Sequence, residues 1–152
     1  MKTQDALKMS AFQSPQQRLV LTVLHASSAM LSSHRALLKP HGVTPEQFNI
    51  LRILNGADGA MSLADVASRM IDRNSNTSRL IDKLLAKGLV QRVICPSDRR
   101  RVEITLTDEG QRTTKHLSLL MDETLAALVD VWTNEQATQA ADILDRWNMT
   151  QP

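Results

Sequence analysis

Asn76, Arg79 and Lys83 stand at i, i+3 and i+7, with Ser75, Thr77 and Ser78 beside them. On a helix that spacing gathers the three long polar side chains on one side. Asparagine and arginine suit paired hydrogen bonds with adenine and guanine edges, while serine, threonine and lysine suit phosphate oxygens. Further along, Arg99, Arg100 and Arg101 follow one another directly after Pro96-Ser97-Asp98. Three neighbouring guanidiniums on a tight turn repel one another, so a lone chain gains nothing from them and an outside polyanion relieves the repulsion.

The charge distribution points the same way. Residues 1–68 hold six Lys/Arg and four Asp/Glu, residues 69–101 hold nine and three, and residues 102–152 hold three and nine. A net charge of +2 thus conceals a central basic segment followed by an acidic one, the footprint of a polyanion-binding surface. Reaction chemistry finds no comparable support. There is no G-x-S-x-G, H-E-x-x-H, C-x-x-C or Gly-rich phosphate loop, so no catalytic residue, cofactor site or enzyme activity is expected. His116 has Arg112 and Leu120 at i−4 and i+4 and the four histidines are scattered, so no metal site is expected either.

The elements that must position these residues are legible from caps and periodicity. Ser14-Pro15-Gln16-Gln17 opens a helix carrying Val20, Val23, Leu24, Met30, Leu31, Leu37 and Leu38, which Pro40 stops. Thr44-Pro45-Glu46-Gln47 opens a second helix with Phe48, Ile50, Leu51, Ile53 and Leu54. Ser62 opens a third with Leu63, Val66, Ala67 and Met70 at i, i+3, i+4 and i+7. After a break at 71–74, a fourth helix runs to Lys87, capped in front by Asp72 or Ser75 and behind by Gly88. Its apolar stripe is Thr77, Leu80, Ile81, Leu84 and Leu85, opposite Asn76, Arg79 and Lys83.

Residues 89–95 read as a strand, 96–98 as a turn, and Val102, Ile104 and Leu106 alternate with Glu103 and Thr105 as a second strand. Thr107-Asp108-Glu109 starts a long helix whose later turns carry Leu117, Leu120, Met121, Thr124, Leu128, Val131 and Trp132. Thr133-Asn134-Glu135-Gln136 starts a last one, with Ala137, Ala140, Leu144 and Trp147 on one side. Two short helices, a tight turn and an immediate hairpin form the order of a winged helix-turn-helix. The expected fold class is mainly α (α+β), with flanking N- and C-terminal dimerisation helices. In such folds the second helix enters the major groove, and a neighbouring wing reaches the minor groove, whose negative potential draws in arginine.

At 152 residues with 42% apolar content, the chain is expected to form one soluble unit. No apolar run approaches a membrane span, the N-terminus lacks a signal-peptide pattern, and Cys95 is the single cysteine, so a cytoplasmic protein without membrane association is expected.

Residues from about 44 to 110 resemble the MarR family of bacterial transcription regulators. The likeness rests on the helix-turn-helix, the Gly88-Leu89-Val90 entry to the wing, the D-x-R of Asp98 and Arg100, and the closing L-T-x-x-G of Leu106, Thr107 and Gly110. The resemblance implies a homodimer that binds a pseudo-palindromic double-stranded DNA operator and mostly represses transcription. It puts an arginine at the Arg100 position in the minor groove and gives Asp98 a role in holding the wing. Arg101 stands where the family usually has a small residue, so Arg99, Arg100 and Arg101 remain alternatives for the groove. The chain then divides as one 1–152 unit, with 44–106 the DNA-binding core and 14–39 and 107–149 the dimerisation helices.

The flanking stripes give a separate reason for a dimer. A helix of about 20 residues spans roughly 30 Å, too long for a small winged domain to cover alone, and pairing across a two-fold axis buries it. The resemblance also implies a small aromatic or lipophilic effector held between the dimerisation helices and the DNA-binding domain. The candidate pocket residues are His25, Met30, His34, Arg35, His41, Phe48 and Arg52. Two other readings stay open: a redox-responsive regulator using Cys95, with Arg92 and Arg99 favouring its thiolate, and a winged helix used only for protein–protein contact.

Overall fold

The computed structural model of the chain describes residues 2–95, 98, 101–129 and 131–148. The helices are α1 (Thr3–Ala6), α2 (Pro15–Leu38), α3 (Pro45–Asn55), α4 (Leu63–Ser68), α5 (Thr77–Ala86), α6 (Asp108–Val129) and α7 (Asn134–Asn148). A 3-10 turn (Lys39–His41) follows α2, and strands β1 (Val90–Ile94) and β2 (Val102–Leu106) precede α6. Residues up to Leu117 form one compact unit and those from Ser118 a second.

Most helix starts are fixed by local chemistry. Ser14 Oγ accepts from the Gln17 N–H at 3.1 Å, with Pro15 at the first helical position, where its missing N–H costs nothing. Thr44 and Gln47 form a reciprocal capping box at α3, and Thr133 and Gln136 repeat it ahead of α7. Ser62 caps α4 through the Asp65 N–H at 3.1 Å.

α5 departs from expectation at its front. Its cap is neither Asp72 nor Ser75 but Asn76, whose Oδ1 accepts from the Arg79 N–H at 3.1 Å. Asp72 instead takes the Asn74 N–H at 3.0 Å, closing the turn before the helix. At the rear, Gly88 adopts φ +67, its N–H donates to Leu85 O, and the Leu89 N–H donates to Leu84 O. Leu84 and Leu89 are both buried, which completes a Schellman ending.

The core lies in the first unit. α3 supplies Gln47, Phe48, Ile50, Leu51 and Leu54; α5 supplies Thr77, Ile81 and Leu84; and the hairpin supplies Val90, Ile104 and Leu106. α4 contributes Val66 alone. Leu63, expected on its buried side, is 41% exposed, because the helix ends at Ser68 and Met70 is buried from the turn beyond. The strands pair antiparallel with Val90 opposite Leu106 and Ile94 opposite Val102. Met61 exchanges both backbone hydrogen bonds with Ile104, so the segment before α4 adds a one-residue third rung that alternation alone did not reveal.

Two further expectations need correction, and one element is new. Val102 is exposed, because the outer end of the hairpin projects beyond the core that buries Ile104 and Leu106. Val131 and Trp132 lie past the end of α6, in the turn before α7. The N-terminal segment contains α1, for which no periodic signal exists over four residues.

Candidate nucleic-acid interface

α5 separates its two sides cleanly. Ile81 and Leu84 are buried against α3 and α4, while Asn76, Ser78, Arg79 and Lys83 are exposed and Ser75 is half-buried. Thr77 belongs to the packed side. It is 7% exposed, and its N–H and hydroxyl both donate to the Ser75 carbonyl, at 2.8 and 3.4 Å. Its place on the apolar stripe therefore outweighs its suitability for a phosphate. Asn76 has two claims on its side chain: the oxygen that would accept from a base is already the helix cap.

Asp82, the acid on α5, is paired with Arg92 of β1 at 2.8 Å, both side chains 58% exposed. The pair removes a negative charge that would oppose phosphate and links the recognition helix to the wing. It also engages Arg92, which the redox reading placed beside Cys95. Cys95 itself is 6% exposed, and its N–H donates to Arg101 O at 2.9 Å, so this residue belongs to the root of the wing turn. Asp98 donates its N–H to Cys95 O at 3.3 Å and accepts the Arg101 N–H at 2.9 Å. Arg101 is exposed. Arg99 and Arg100 lie outside the described residues.

The residues that close the wing act together. Thr107 Oγ1 donates to Gly88 O at 2.6 Å and accepts the Gly110 N–H at 3.0 Å, joining the end of α5 to the start of α6. A methyl group at Gly110 would lie 1.9 Å from Leu89 O, so only glycine admits this approach.

The expected effector residues differ in their surroundings. Phe48 is core, Met30 is exposed on α2, and Arg52 is exposed on α3. His25 and His34 are half-buried on α2. His41 meets His116 instead, ring centres 5.3 Å apart and edge to face, so the histidines are less scattered than their sequence positions imply. A cavity of about 370 Å³ is lined by Arg35, Lys39, Gly42, Val43, Thr44, Pro45 and Glu46, and of the expected pocket residues only Arg35 is among them.

The family model described as the MarR family matches residues 43–102. Over a longer stretch, the chain is 31% identical to the helix-turn-helix transcriptional regulator YsmB of Bacillus subtilis across 112 residues, 74% of this chain and 76% of that protein. The chain belongs to the MarR family. Other relatives extend the likeness. The homoprotocatechuate degradative operon repressor of Escherichia coli is 27% identical over 129 residues, 85% of this chain and 86% of that protein. The fold matches Staphylococcus aureus MepR, solved as a DNA complex, with a TM-score of 0.75 at 24% identity, over 85% of this chain and 95% of that one. This MarR protein is therefore a transcriptional regulator with a DNA-binding winged helix, and not an enzyme. Among its described residues, no helix is long and apolar enough to cross a membrane.

Proposed function

We propose that this MarR protein is a homodimeric repressor that binds a pseudo-palindromic operator in the cytoplasm and is released by a small aromatic or lipophilic effector. The observation that carries the reading is the exposed Asn76, Ser78, Arg79 and Lys83 set on a helix whose opposite side is buried. Arg79 reads a base edge, Asn76 reads another where its cap geometry permits, and Ser75, Ser78 and Lys83 hold phosphates. One of Arg99, Arg100 and Arg101 enters the minor groove.

Two features support the dimer. α2 spans about 36 Å at 1.5 Å per residue, yet Leu38 is the one buried residue among its 24. Leu19, Val20, Leu24, Met30 and Leu31 are exposed along it. In the second unit, Leu119, Leu125 and Ile143 are exposed as well. The effector reading draws on the Escherichia coli relative, a repressor named for degradation of an aromatic acid.

The test is selection of duplexes from a random pool, followed by a salt titration on the winner. A two-fold symmetric sequence is expected, with log affinity falling linearly in log salt. Arg79→Ala should cost about 1–3 kcal/mol and relax preference at one position. Equal loss on every duplex would reassign it to phosphate, and salt-independent binding would favour the protein-contact reading.

A further inference from the structure

Lys87 is one of the nine basic residues in the 69–101 segment, and although the residue is exposed its ammonium bonds to two groups of the protein. It is the C-cap residue of α5. Its Nζ donates to the Gly42 carbonyl and, at 2.9 Å, to Gln47 Oε1. Gly42 ends the 3-10 turn after α2 in the left-handed conformation, φ +66. Gln47 is 1% exposed, and its Oε1 already accepts the Thr44 N–H that closes the α3 capping box. One ammonium therefore joins the end of the recognition helix, the turn after α2 and the start of α3, across 45 and 40 residues of sequence.

The mechanics follow from the length of α5. Ten residues make a rod about 15 Å long, so a small displacement at its C-terminus is matched at the N-terminus, where base edges are met. The apolar stripe fixes which side faces inward, and the directed charge-assisted bonds add a second constraint at the C-terminal end of the helix. We infer that Lys87 is a positioning residue for operator recognition: it sets the tilt of α5 against the Gly42 turn without touching DNA. This rests on the proposed operator binding. It separates Lys87 from Lys83, one turn earlier on the same helix: both are exposed, and what marks Lys87 is its pair of bonds to Gly42 and Gln47.

The experiment measures the affinity of Lys87→Met for the selected operator and for a scrambled duplex, each across a salt series, with urea unfolding on the same samples. Operator affinity should fall about tenfold, while scrambled-duplex affinity and both salt slopes stay at wild-type values. Lys87→Gln removes the charge but keeps a donor; it should leave the salt slope unchanged and lose less preference, and it supplies the reading if Lys87→Met does not fold. A salt slope shallower by about one in either variant would make Lys87 a phosphate contact and overturn the inference. So would an operator preference unaltered in Lys87→Met. A wild-type chain that prefers no duplex removes the operator reading itself, and this inference with it.

Discussion

The 43–117 stretch and α2 use apolar residues in opposite ways. In the first, short helices of six to eleven residues and a two-stranded hairpin bury almost every large aliphatic that their periodicity points inward. In α2, a helix more than twice as long leaves Leu19, Val20, Leu24, Met30 and Leu31 exposed. The residue types are the same; the difference is whether a single chain provides the other wall. Ile50, Leu51 and Leu84, each fully buried, report a self-sufficient core, whereas the α2 stripe is left uncovered by its own chain, as the proposed homodimer requires.

That contrast is most directly broken at Gly110. Gly110→Ala places a carbon 1.9 Å from Leu89 O, and should destabilise the winged helix by about 3 kcal/mol or more in urea unfolding. A smaller loss would mean the wing root yields more easily than its hydrogen bonds imply. Next, Leu84→Ala should cost about 2–5 kcal/mol as a cavity in a closed core. Leu24→Ala, at a protein concentration where the chain is single, should stay within about 0.5 kcal/mol of wild type, while sedimentation at higher concentration shows weaker association. Equal costs for the two would erase the distinction between the regions.

A smaller effect is expected at Asn76. Without DNA, Asn76→Ala should lose about 1 kcal/mol of stability as its cap disappears, and Asn76→Asp should retain it. No change in either would release the side chain wholly to DNA. Smallest of all, Arg92→Ala should alter stability by about 0.5 kcal/mol or less, because its pair with Asp82 is solvent-screened. Thermal unfolding at low and high salt checks this.

Much of the fold was legible in the sequence because its signals are local. A serine or threonine followed by proline and glutamine says where α2 and α3 begin, and alternation over Glu103–Leu106 says which side of β2 is inward. Asn76 was missed as a cap because Asp72, Ser75 and Asn76 all offer a cap oxygen within five residues, and the choice depends on how the turn closes. Leu63 and Val102 were misplaced for a different reason: periodicity gives the direction of a side chain but not the edge of the core. The Lys87 strut and the Met61–Ile104 rung join residues 40 or more apart, and no spacing rule reaches them. Arg79 and Lys83 were legible because helix geometry alone turns them away from the stripe.

The Thr107 hydroxyl, held between Gly88 and Gly110, shuts the hairpin at its base. The strands that leave that clasp pair from Val90 opposite Leu106 to Ile94 opposite Val102, and their inward residues belong to the core. A change of charge between the outer ends of the two strands can therefore accumulate without disturbing the helices on either side. A lineage built on this scaffold is free to retune how its wing grips DNA while inheriting the rest unchanged.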